Sequence, residues 1–268
     1  DYNIPVALGV NSDQTQVVFQ QGSSMTYEKT GLDQVATVGQ DEKGAFTLNV
    51  GISASGKLLP FQVIYASKSL KSLLNESCEG YNCAIQLGFH FESSMTDTYW
   101  ATLDTMKLYV QCILVLYFLS EKESLQLPDN QECLWQIDIR PVHTSIDFWG
   151  WLHTNFPWII LEYIPGGCTG KFQACDVGFQ HPLKQSIQHS QHADVITEVL
   201  EQLAKGVEAK DIILDTKLPS LCQCSAHWLV NADMKLDKPN IILKVHTPWV
   251  SDILFKPPVL IFSLLTGI

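Results

Sequence analysis

Short apolar runs alternate with polar breaks along the first half of the chain. Val6 to Val10 gives way to Asn11-Ser12-Asp13-Gln14-Thr15 and resumes at Val17 to Phe19, a pattern that predicts a strand whose end presents Asp13. Residues 22–44 turn polar and glycine-containing, a predicted loop or hairpin excursion. Two strand-like runs follow, Ala45 to Ser53 and Leu59 to Ala66, and Ser55-Gly56-Lys57 between them is a hairpin signal. Three neighbouring antiparallel strands are expected.

Ser67 to Glu92 reads as irregular. After it, Trp100, Leu103, Met106, Val110, Ile113, Leu114 and Tyr117 recur at helical spacing, which predicts a buried amphipathic helix. Leu127-Pro128-Asp129-Asn130 breaks the pattern, and Cys133 to Ile139 reads as a short central strand with Asp138 near its end. Thr144 to Asn155, with apolar positions Ile146, Phe148, Trp149 and Leu152, suits a helix, and Trp158 to Ile164 a strand. The order is β-β-β-α-β-α-β. A loop from Pro165 to Gly170 leads to Asp176, at the start of a helical segment over about Val177 to Gln191. Asp194 is then expected to cap a separate helix with Ile196, Val199, Leu200 and Leu203 on one face, stopped by Gly206.

Composition narrows the class. With 46% apolar and 17% charged residues over 268 positions, the chain is globular and can bury a large core. Its 28 acids and 17 bases give a net charge of −11, and Arg140 is its single arginine. That sign excludes a clamp that binds nucleic acid by charge alone, so affinity for DNA must come from a local site, a metal or a further segment. The eight cysteines are spread without paired C-x-x-C knuckles and read as reduced thiols. The longest apolar run, Val110 to Leu119, is interrupted by Gln111 and falls short of the roughly 20 residues of a membrane span, so no membrane partner is expected. The chain starts at Asp1 without a secretory signal and reads as a fragment.

Three aspartates, Asp13, Asp138 and Asp176, each stand at a predicted strand end or at the helix start after one. Convergent carboxylates at the ends of central strands are what hard divalent cations require. Spacing alone does not single these three out, because a chain with 28 acids offers others by chance.

The words around them do. Asn11-Ser12-Asp13-Gln14-Thr15-Gln16, followed by Phe46-Thr47-Leu48 and Gly56-Lys57-Leu58-Leu59-Pro60, forms one block; Trp135-Gln136-Ile137-Asp138 with Val142-His143 and Ser145 forms a second. The third runs from Pro165-Gly166-Gly167-Cys168-Thr169 through Gln173-Ala174-Cys175-Asp176-Val177-Gly178. In this order the blocks resemble the DDE-superfamily endonuclease domain of pogo/Tigger-like transposases, in particular the fungal-type copies.

The resemblance implies an α/β RNase H-like fold, a mixed central sheet flanked by helices, over residues 1–190. A helical extension would occupy 191–247 and an atypical hydrophobic tail 248–268. It further implies Asp13, Asp138 and Asp176 as catalytic and metal-binding residues, a two-ion Mg²⁺ or Mn²⁺ site, DNA as partner, a homodimer and a nuclear location. The family's N-terminal helix-turn-helix DNA-binding region has no counterpart in these residues.

Departures from the family words are local. Ile139-Arg140-Pro141 replaces a small residue, Trp and Ser, and Ala174 stands where Pro is usual. Arg140 is a candidate phosphate contact. His143 reads as a packing or hydrogen-bonding residue, and Cys168 and Cys175 as buried thiols rather than a metal pair. Gly51 to Gly56 only approximates a nucleophile elbow. The alternative to an active nuclease is an inactive transposon-derived nucleic-acid-binding or interaction domain.

Overall fold

Among the described residues six strands form one mixed sheet, in which the fourth strand lies at one edge, followed by the third, second, first, fifth and sixth. The structure is a computed structural model that describes residues 3–19, 44–69, 73–165 and 167–245. The tail at 248–268 and, apart from Gly44, the expected excursion at 22–44 lie outside the described residues.

β1 (Gly9–Val18), β2 (Ala45–Ser53) and β3 (Gln62–Tyr65) form the expected antiparallel meander. Phe46, Leu48, Val50 and Ile52 alternate along β2 and are all buried in one apolar cluster, so period-2 patterning fixes which face they show. The polar middle of β1 does not end the strand as expected. Its pairing with β2 continues from Val10↔Ser53 to Val18↔Ala45, which puts Asp13 in mid-strand. The polar side chains are tolerated because they have partners: Trp135 Nε1, for example, donates to Ser12 Oγ at 2.7 Å.

β5 (Cys133–Asp138) lies parallel to β1, and β6 (Ile159–Ile164) parallel to β5. β4 (His90–Ser93), parallel to β3 at the edge, was not visible in the sequence, since its four residues alternate too briefly to register. With α1 (Tyr81–Gln86), it replaces much of the expected irregular stretch.

Helices cover both faces. On one, α2 (Leu103–Tyr109), a π-helical segment (Val110–Leu114) and α3 (Val115–Ser124) form one rod, joined by α4 (Ile146–Asn155). The rod Leu103–Ser124 is longer than the apolar run that marked it, and by length and composition alone it could cross a membrane. Here Met106, Tyr109, Val110, Ile113, Leu114 and Phe118 pack it into the core with Val10, Trp135 and Phe148. It approaches β2 so closely that a Cβ on Gly51 would lie 2.5 Å from Tyr109 Oη. α4 starts at the N-cap Ser145, whose hydroxyl accepts from Phe148 N. It rests on Phe148 and Leu152, one turn apart, while Ile146 and Trp149 are exposed.

After the short α5 (Thr169–Phe172), the other face carries α1, α6 (Gln180–Ala204) and α7 (Leu218–Leu236), with Phe179, Leu183, Ile187, Trp228 and Leu229 against Phe46, Leu48 and Val63. α6 runs unbroken through residue 190. Asp194 therefore does not cap a new helix but sits inside α6, where its carboxylate accepts from His227 Nε2 at 3.0 Å and Trp228 Nε1 at 2.7 Å and so ties α6 to α7. Ile196, Leu200 and Leu203 are exposed. Gly206, at φ +85°, ends α6 as expected: its N–H bonds Leu203 O, and that of Val207 bonds Gln202 O. All eight cysteines are free.

A three-strand antiparallel meander, two parallel strands continuing the sheet beyond β1, and helices on both faces make this an α/β domain with the RNase H-like fold.

Candidate carboxylate site

The parallel register of β1 and β5 builds the site. Gly9, Val10 and Asn11 stand opposite Leu134, Trp135 and Gln136. Because side chains alternate across a strand, Asp13 and Asp138, each two residues beyond the Asn11–Gln136 pair, emerge on the same face. That face looks toward the start of α6, where the π turn Cys175–Phe179 carries Asp176. All three sequence-predicted aspartates line one cleft of about 350 Å³, with Gln14, Thr15, Gln16, Thr47, Trp100, Arg140 and Gln180.

Asp13 is buried. Its Oδ1 accepts from Gln14 N at 2.8 Å, and its Oδ2 from Gln180 Nε2. Burial pushes its carboxyl well above the usual range, and the negative charges of Asp176 and Asp138 push the same way, against Arg140. Asp138 shows the opposite balance. Burial opposes its ionisation, but His143 and the Arg140 guanidinium outweigh it and hold the carboxyl below its ordinary value. Arg140 Nε donates to Asp138 Oδ2 at 2.6 Å. Asp138 Oδ1 is buried without an aligned hydrogen bond, with His143 Nδ1 at 3.2 Å. That ring nitrogen makes its better-aligned contact with the Asp138 carbonyl oxygen, at 3.0 Å. Asp176, by contrast, is exposed at the cleft edge.

Arg140 stands between the two strand carboxylates: its Nη2 donates to Gln14 O at 3.0 Å and lies 3.9 Å from Asp13 Oδ1. Among the described residues, no three His, Cys, Asp or Glu side chains are drawn tightly enough to hold an ion. The donor chemistry nevertheless suits one. Three carboxylates converge, and Asp13 is burdened by its neighbours' negative charge.

His143 is buried and keeps the supporting position expected of it. Cys175 is a buried thiol as expected, 3.5 Å from Asn11 O, whereas Cys168 is only half-buried. Sequence reasoning passed over Gln14 and Gln180, which hold Asp13. The one available signal for Gln180 was its position a helical turn after Asp176.

Fold and site together define an RNase H-like domain with an acidic cleft between two parallel strands and a helix start. No protein-family model matches the chain, and no curated protein does. Among solved structures it is similar to the Mos1 mariner paired end complex with Mn, at 13% identity and TM-score 0.38, covering 94% of this chain and 57% of that one. It is also similar to the Mos1 transposase paired-end complex with left transposon end, at 13% identity and TM-score 0.37, covering 89% and 55%. A third is the pre-cleavage Mos1 transpososome, at 14% identity and TM-score 0.35, covering 86% and 55%. The chain thus spans about half the length of the solved chains it matches.

Proposed function

We propose that the chain is a transposase-type endonuclease domain of the pogo/Tigger kind, which cleaves DNA phosphodiesters and transfers the strand with the help of Mg²⁺ or Mn²⁺. The observation that carries this reading is the alignment of Asp13 and Asp138 on adjacent parallel strands, facing Asp176 across one cleft. The three sequence blocks support it independently, since each centres on one of these aspartates.

Asp13, Asp138 and Asp176 are the residues that would hold the divalent ions. When bound, such ions polarise the scissile phosphate and favour the attacking water or 3′-hydroxyl. The protein's own groups set the carboxylates in place. Gln180 and Gln14 N orient Asp13, while His143 stands beside the inner oxygen of Asp138. Trp100 adds an exposed apolar wall that suits a nucleotide better than a small anion.

The test is nicking of supercoiled plasmid in Mn²⁺, with Asp138→Ala as control. Nicking that the substitution removes is expected. Nicking that survives it, or none by the unsubstituted chain at any Mn²⁺ concentration, overturns the nuclease reading. The second outcome would favour a non-catalytic nucleic-acid-binding domain, a reading supported by the engagement of Asp138 with Arg140.

A further inference from the structure

The contacts of Arg140 bear on how the cleft is loaded. Its guanidinium meets both cleft strands, through Asp138 Oδ2 at 2.6 Å and Gln14 O at 3.0 Å, with Asp13 Oδ1 3.9 Å away. The other Asp138 oxygen is buried beside His143. An ion entering from the cleft must therefore take Oδ2, the oxygen Arg140 already uses. The arginine side chain is 30% exposed, against 4% for Asp13 and 12% for Asp138, so of these three it is the one with room to turn outward. Arg140 itself lines the cleft that a phosphodiester would enter, and a guanidinium fork matches phosphate as well as carboxylate.

We propose that Arg140 is a resident counter-ion that occupies the metal-facing oxygen of Asp138 until nucleic acid arrives, then passes to a phosphate and releases the carboxylate to the divalent ion. This rests on the nuclease reading above and adds a coupling to it. Metal and DNA each favour the state with Arg140 turned outward, so each strengthens binding of the other, reciprocally. The lone arginine of an acidic chain thereby offsets the mutual repulsion of the carboxylates and reserves metal loading for the DNA-bound state.

The experiment is calorimetric titration of Mn²⁺ into the protein and into Arg140→Gln, each with and without a short DNA duplex. Without DNA, Arg140→Gln is expected to bind Mn²⁺ about tenfold tighter, the weight of one charge-assisted hydrogen bond no longer displaced. DNA should tighten Mn²⁺ binding to the unsubstituted protein and leave Arg140→Gln nearly unchanged. Thermal unfolding in chelator supplies a second readout: Arg140→Gln should melt lower, and Mn²⁺ should raise its melting temperature more than that of the unsubstituted protein. Arg140→Lys, which keeps the charge without the fork, should fall between them and serves if Arg140→Gln fails to fold. Equal or weaker Mn²⁺ binding by Arg140→Gln overturns the competition alone. Absence of Mn²⁺ binding by every protein overturns the metal reading of the site, and the competition with it.

Discussion

Asn11 Nδ2 donates to Gln136 Oε1 at 2.9 Å, and the same Asn11 side chain accepts from Cys175 N through Oδ1 at 3.0 Å. One buried amide thus ties together β1, β5 and the π turn before α6. Each bonded residue lies within two positions of an aspartate: Asn11 of Asp13, Gln136 of Asp138, Cys175 of Asp176. Asn11 is therefore the joint that brings three sequence-distant carboxylates to one cleft.

Replacing that joint should loosen both fold and site. Asn11→Ala leaves Cys175 N without its acceptor and Gln136 Oε1 without its donor, and should cost about 2–3 kcal/mol of stability in urea unfolding. Nicking in Mn²⁺ should fall with it even at temperatures where the variant remains folded. A variant as stable as the parent would show that the three elements align without Asn11.

The close approach of the α2–α3 rod to β2 makes a steric prediction. A Cβ on Gly51 would lie 2.5 Å from Tyr109 Oη and 3.2 Å from Leu59 Cδ2. Gly51→Ala should therefore force Tyr109 aside and destabilise the protein by about 1–3 kcal/mol, read as a lower urea midpoint.

Asp194 acts as a tether between helices rather than as a cap. Asp194→Ala strips the acceptor from Trp228 Nε1, on a nearly buried ring, and from His227 Nε2, and should cost about 1–3 kcal/mol. Faster amide exchange in both α6 and α7 would locate the loss, whereas exchange changes confined to α6 would contradict the tether.

Asp233 on α7 sets a pH dependence remote from the cleft. Burial, and secondarily the charge of Asp237, raise its carboxyl from 3.8 to about 6. The folded state binds this proton more tightly than the unfolded chain, so the residue's contribution to stability falls as pH rises from about 4 to about 6 and stays low above that. Asp233→Asn should leave stability at pH 4 nearly unchanged and raise it by about 1–3 kcal/mol at pH 7, seen as melting curves that diverge only on the alkaline side.

Much of the sheet was legible in the chain. β2, β5 and β6 fall within a residue of their predicted spans because alternating or continuous apolar runs carry their own signal. The three aspartates that meet in the cleft were likewise named from the words around them. What stayed hidden depended on partners distant in sequence. The polar centre of β1 reads as a break until Trp135, Gln136 and Gln180 supply the bonds that let it stay buried mid-sheet. β4 exists because β3 offers it an edge, and α6 passes through Asp194 because α7 brings His227 and Trp228 to that carboxylate. Arg140 shows the division most plainly. Sequence marks it as the only arginine and a candidate for phosphate, but only the folding of β1 beside β5, with their pairing ended at Asn11 and Gln136, puts its guanidinium between two carboxylates. Local patterning therefore determined which segments become strands and helices and which acids to watch, since apolar periodicity is written along the chain. The tertiary structure decided which polar groups are buried, paired and opposed, because those energies depend on neighbours that no local stretch of sequence contains.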